Sequence, residues 1–206
     1  MGSYYEKLAK KPGSRWQVHV TDRSLTDFEQ VLLGLIVDEP SSGYALKAFL
    51  ITTPASAYQP SSGALYPALK RLEQYGLLRS RLTVAAGRRK RRLYHATTAG
   101  IAAHVAWVRQ PVQPQTVAQD LGLHLMRFVF LAGLLPKDEV LLFLDSLADA
   151  LDALVGDLER FSAAVTAGTA TGVGDAVHSA LALEHGIAVH RASLAWARRT
   201  RRVLAG

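Results

Sequence analysis

The chain of 206 residues contains no cysteine. That excludes disulfides, thiolate metal sites and cysteine nucleophiles, and makes a cytoplasmic setting the expectation. Long apolar runs are missing as well. The longest, Phe128–Leu135 and Val31–Val37, fall far short of the ~20 residues that span a bilayer. The polar opening MGSYYEKLAK has no apolar core of the kind a secretory signal carries, so none is expected. There is no glycine-rich phosphate loop, nucleophile elbow, HExxH or recognisable pair of acid/base carboxylates, and an enzyme is not expected. His178, His185 and His190 with Glu184 come nearest to a metal set. His185 and His190 do not share a helix face, and two histidines without clustered carboxylates make a weak site, so no metal or cofactor is expected.

Hydrophobic residues make up 49% of the chain and charged residues 20%, enough for a buried core and too little charge for global disorder. The length suits one large domain or two small ones. The net charge of +7 is unevenly spread. Residues 1–60 are neutral and residues 111–206 carry −2, whereas residues 61–110 hold ten basic side chains against Glu73 alone. A basic block beside a mildly acidic remainder is the footprint of a nucleic-acid-binding module joined to something else.

Residues 1–24 lack periodicity and read as an extension. Thr26 and Glu29 form a capping box at the start of a first helix, which Pro40 closes. Ser41-Ser42-Gly43 starts a short second helix from Tyr44 to about Leu50, with Tyr44, Leu46 and Phe49 inward, and Thr52–Pro60 is a loop. Ser61 and Ser62 cap a third helix that ends at Gly76, suited to a left-handed C-terminal position. Leu65, Leu69 and Leu72 make its buried stripe, and Tyr66, Lys70, Arg71 and Gln74 fall off it. Pro67 is an anomaly there, tolerable near the helix start. Two strands, Leu77–Val84 and Leu93–Thr97, flank a basic loop, and a fourth helix runs from Thr97 to about Gln110. Helix, helix, helix, hairpin, helix is the order of a winged helix-turn-helix.

Pro111 and Pro114 mark a linker to a helical C-terminal part. Residues 116–134 read as one helix; a longer one begins after Pro136; Ala167–Gly174 is a loop; and Asp175 starts a last helix to about Val203. In the long helix Val140, Leu144, Leu147, Leu151, Leu154, Leu158, Phe161 and Val165 advance by alternating fours and threes, a heptad seam. The seam can serve an intramolecular hairpin, a subunit interface, or both, and a homodimer is expected. The fold class is thus mainly α with a small β-hairpin wing. The domains expected are an extension (1–24), a winged helix (25–110) and an α-helical dimerisation or effector domain (115–206).

The third helix is the natural element to enter a DNA major groove. Ser61 and Ser62 at its positive end suit a phosphate, and Tyr66 and Lys70, one turn apart, suit a phosphate or a base edge. The wing run Arg88, Arg89, Lys90, Arg91 and Arg92 suits the backbone or a minor groove. Tyr44 joins this DNA-facing set. Trp107, Phe128, Phe143 and Trp196 are candidates for an apolar ligand pocket, with core packing as the plainer reading.

The segments Pro40-Ser41-Ser42-Gly43-Tyr44, Ser62–Glu73 with its Leu65-Tyr66-Pro67, and Gly76-Leu77-Leu78 resemble the PadR family of bacterial transcriptional regulators. Gly87-Arg88-Arg89-Lys90, Tyr94 and Thr97-Thr98-Ala99-Gly100 continue the likeness, which covers about residues 25–110. The C-terminal part is more weakly similar to the longer members. The resemblance implies a homodimeric winged-helix repressor on a palindromic operator in double-stranded DNA, released by a small aromatic or drug-like effector. It also implies tolerance of Tyr-Pro in the reading helix. His95 and Ala96 depart from the family pattern, and residues 1–24 exceed its usual start. The alternative is a non-specific nucleic-acid-binding or helical protein-interaction module.

Overall fold

The computed structural model describes residues 24–52, 63–84, 90–170 and 175–206. They form two compact units that divide between Val108 and Arg109.

The first unit holds α1 (Asp27–Asp38), β1 (Ser41–Ser42), α2 (Gly43–Thr52), α3 (Leu65–Gln74), β2 (Leu78–Val84), β3 (Lys90–Ala96) and α4 (Thr98–Val108). Thr26 caps α1 in a complete capping box, its hydroxyl taking the Glu29 amide while the Glu29 carboxylate takes the Thr26 amide. Val31, Leu32, Leu33, Ile36, Leu46, Leu50, Leu65, Ala68, Leu69 and Leu72 make a core from which water is excluded. In α2 the inward side chains are Leu46 and Leu50; Tyr44 and Phe49 face solvent, contrary to the sequence expectation. Ser42 starts α2 as expected, its hydroxyl accepting the Ala45 amide at 3.2 Å. Ser41 and Ser42 also have a second role: they pair with Tyr94 and Leu93, making a third strand in a sheet ordered β1-β3-β2.

Helix α3 begins at Leu65 with Ala64 as its N-cap, which makes no side-chain cap of its own; the expected capping residues are Ser61 and Ser62. Both serines lie outside the described residues. The shorter helix puts Pro67 in its first turn, where the missing N–H has no intrahelical acceptor to lose. The helix closes in a Schellman motif: Leu77 N–H donates to Leu72 O at 3.0 Å, Gly76 N–H to Glu73 O at 2.9 Å, and Gly76 has φ 71°. Thr97 then ties wing to helix end. Its hydroxyl donates to Gly76 O at 2.7 Å and accepts from the Gly100 amide at 3.0 Å, capping α4.

The second unit holds α5 (Pro114–Gln119), α6 (Leu121–Leu131), α7 (Lys137–Thr166) and α8 (Ala176–Ala205). The single helix expected over 116–134 is split at Asp120, whose carboxylate accepts the Leu123 amide at 2.9 Å and so starts α6 afresh. Helices α7 and α8 pack along their length. On α8, Ala180, Leu183, Ile187, His190, Leu194, Ala197 and Arg201 are buried or half-buried at alternating threes and fours. Arg191–Glu159 at 2.6 Å, Arg198–Asp152 at 3.2 Å and Arg201–Asp145 flank the contact. Exposed pairs of this kind add little stability, and their worth is in fixing an antiparallel register.

Candidate nucleic-acid interface

In the first unit, α3 and the wing enclose a concave basin of about 1130 Å³. Tyr66 and Lys70 line it from the reading helix, Arg91 and Arg92 from β3, and Ser42 and Tyr44 from the β1–α2 corner. Tyr44 is 76% and Tyr66 57% exposed, more than a buried core needs from two large aromatics. Tyr66 lies over Gly43: a Cβ on that glycine would come within 2.7 Å of the tyrosine ring. Lys70 and both arginines are exposed. The structure therefore brings Tyr44, Tyr66, Lys70, Arg91 and Arg92 to one surface. Lys90 opens β3, opposite Val84; Ser61, Ser62, Arg88 and Arg89 lie outside the described residues.

Sequence reasoning put Gln74 off the buried stripe of α3 but missed Glu73 and Tyr94 as members of this surface. Glu73, Gln74 and Tyr94 line the same basin. Glu73 lies 3.7 Å from Arg92, tempering one wing cation. Tyr94 is buried at the back of the basin, and burial, reinforced by the charge of Glu73, pushes its phenol's pKa up. The tyrosine is therefore a neutral hydrogen-bonding group at physiological pH. Glu29, at the far side of α3, takes the Arg71 Nε–H on Oε1 at 2.6 Å. Burial alone would raise its pKa, but hydrogen bonds from Thr26 and Arg71 and the charge of Arg71 hold it below the usual carboxylate value.

The four aromatic pocket candidates are not one cluster. Trp107 belongs to the first unit, its ring centroid 5.6 Å from that of His104. In the second unit Phe128 and Trp196 meet edge to face at 5.4 Å, on the wall of an apolar cavity of about 550 Å³ between α6, α7 and α8. Phe143 is buried elsewhere in that unit, under the Arg127 guanidinium at 5.2 Å. Arg127 is itself buried, reaching the Gln110 carbonyl and lying 3.2 Å from His124, which is 3.0 Å from the Thr116 hydroxyl. Burial pulls the Arg127 pKa down to about 10; burial and then the charge of Arg127 pull that of His124 down to about 4.

Of the expected dimerisation seam, Leu144, Leu147 and Leu151 are fully buried within their own chain. Val140, Leu154 and Leu158 are half-buried, and Phe161 is 45% exposed. The seam is thus consumed internally along its first half and open along its second.

A short helix with a basic, aromatic outer face beside an arginine-bearing hairpin defines the class of winged-helix DNA-binding proteins. Residues 32–105 match the transcriptional regulator PadR-like family. Residues 125–205 match the virulence activator alpha C-terminal domain, so the chain carries a PadR-like domain followed by a second, separately matched C-terminal domain. Similar solved structures include Bacillus subtilis PadR in complex with operator DNA, at 18% identity and TM-score 0.41, covering 87% of this chain and 99% of that one. The same protein in complex with p-coumaric acid gives 17% and 0.39, covering 88% and 100%. The PadR-like transcriptional regulator BC1756 from Bacillus cereus gives 20% and 0.38, covering 89% and 99%. No curated protein matches the chain. Among the described residues no helix is long and apolar enough to cross a membrane.

Proposed function

We propose that this chain, with its PadR-like domain, is a cytoplasmic homodimeric repressor, not an enzyme, which reads a palindromic operator with α3 and responds to a small aromatic or drug-like effector. The observation that carries the reading is the basin in which Tyr66 and Lys70 of α3 and Arg91 and Arg92 of β3 open to the same side. A major groove about 12 Å wide accepts one helix, and the wing arginines then fall on the flanking backbone or minor groove. In a two-fold dimer the two reading helices would lie about 34 Å apart, one turn of duplex. Bound over a promoter, such a dimer blocks transcription. The open half of the α7 seam, Leu154, Leu158 and Phe161, supplies apolar surface for subunit pairing. The Phe128–Trp196 cavity has a volume within the roughly 300–1,000 Å³ of small-molecule sites.

The test is binding to the DNA upstream of its own gene against a random duplex of equal length, across salt. The upstream duplex is expected to bind more tightly, with a log–log salt slope near −0.9 per phosphate contact. Lys70→Ala and Tyr66→Phe are expected to weaken it. Equal affinity for both duplexes overturns the repressor reading in favour of non-specific binding.

A further inference from the structure

We propose that Arg71 grips the DNA backbone and that Glu29, forty-two residues earlier, is the positioning residue that aims it; this rests on the DNA-binding reading above. Arg71 follows Lys70 on α3, on the flank away from the wing basin, and its side chain is 44% exposed while that of Glu29 is 4% exposed. The Arg71 Nε–H donates to Glu29 Oε1 at 2.6 Å, and among the described residues its two Nη groups have no acceptor. A guanidinium held by Nε keeps its planar Nη edge in one direction, and that edge matches a phosphate bidentately.

Glu29 is in turn fixed. Its other oxygen accepts the Thr26 amide at 2.9 Å and the Thr26 hydroxyl at 3.0 Å. The capping box that starts α1 therefore also clamps a cation on the reading helix, so the rotamer freedom Arg71 would otherwise lose on binding DNA is already lost in the free protein. A buried carboxylate so near a polyanion is unfavourable as a charge. Its presence is explained by what it holds.

Charge and positioning make opposite predictions for Glu29→Gln. Glutamine preserves the capping box but removes both a negative charge and the charged acceptor of Arg71. If Glu29 acted only as a charge, DNA binding would tighten. If it aims Arg71, binding weakens several-fold for upstream and random duplexes alike. Arg71→Gln should weaken both duplexes and shrink the log–log salt slope by about 0.9 per lost contact, about 1.8 for a dimer. Arg71→Lys, a point charge without the fork, should recover the slope but not the full affinity. In the Arg71→Gln background, Glu29→Gln should weaken DNA binding no further, whereas a general weakening of the fold would weaken it again. Circular dichroism confirms that each variant is folded at the assay temperature; should Glu29→Gln fail to fold, the Arg71→Gln slope still decides. An unchanged slope for Arg71→Gln, or a full independent effect of Glu29→Gln in its absence, overturns the proposal. Loss of DNA binding by the wild-type chain overturns the DNA-binding reading instead.

Discussion

Gly43 and Gly100 show how much one methyl group can mean in the first unit. A Cβ at Gly100 would lie 2.1 Å from the Leu77 carbonyl oxygen, where Thr97 already binds both Gly76 and Leu77. Backbone meets backbone there, so nothing can swing away. Gly100→Ala should therefore part α4 from the end of α3 and cost about 3 kcal/mol or more, in the manner of an overpacked core, read as a lowered urea midpoint. At Gly43 the obstacle is instead the Tyr66 ring, 2.7 Å away, the far end of a side chain that can rotate. Gly43→Ala should leave the urea midpoint within about 1 kcal/mol of wild type yet weaken operator binding, because Tyr66 is turned from the place α3 gives it. If Gly43→Ala binds operator as wild type does, Tyr66 does not depend on that glycine for its orientation.

Among the elements, α7 carries the clearest division of labour. Leu147 is fully buried while Phe161 is 45% exposed, though both belong to one heptad series. Leu147→Ala should destabilise the chain by about 2–5 kcal/mol, as large-to-small core changes do, without altering self-association of what stays folded. Phe161→Lys should leave the melting temperature nearly unchanged and shift the sedimentation coefficient toward that of a monomer. A dimer that persists in Phe161→Lys and in Leu158→Lys places the subunit contact on another surface.

What the sequence made legible follows the same division. The capping box of α1, the glycine after α3 and the seam of α7 rest on residues within a few positions of one another, where backbone chemistry and periodicity speak directly. The partner seam on α8 escaped notice because Ala180, His190, Ala197 and Arg201 occupy positions where a leucine would have drawn attention. Strand β1 is two residues long and exists only through Tyr94 and Leu93, some fifty positions away. The Glu29–Arg71 bond is equally non-local. At the candidate interface, Tyr66, Lys70 and the arginines were visible as cations and aromatics off an apolar stripe. Glu73 and Tyr94 join them through folding alone.

For the molecule as a whole, each unit buries a neutral histidine, and this sets a pH dependence that neither DNA nor dimerisation need supply. His104 in the first unit is fully buried and burial pulls its pKa down to about 4; His124 in the second is brought to about 4 by burial and then by Arg127. In the unfolded chain both regain a value near 6.5. Between about pH 6.5 and pH 4 the unfolded state binds protons that the folded state refuses, so stability falls as the pH is lowered through that window and is level, as far as these groups go, above it. Two and a half units apiece correspond to a loss on the order of 3 kcal/mol for each histidine by pH 4. Urea titrations at pH 7 and pH 5 should therefore show a lower midpoint at pH 5. His104→Leu should flatten the part of that dependence belonging to the first unit, whatever it does to stability at pH 7. A pH 7 to pH 5 difference as large in His104→Leu as in the wild type would mean that this ring takes up its proton in the folded chain as readily as in the unfolded one.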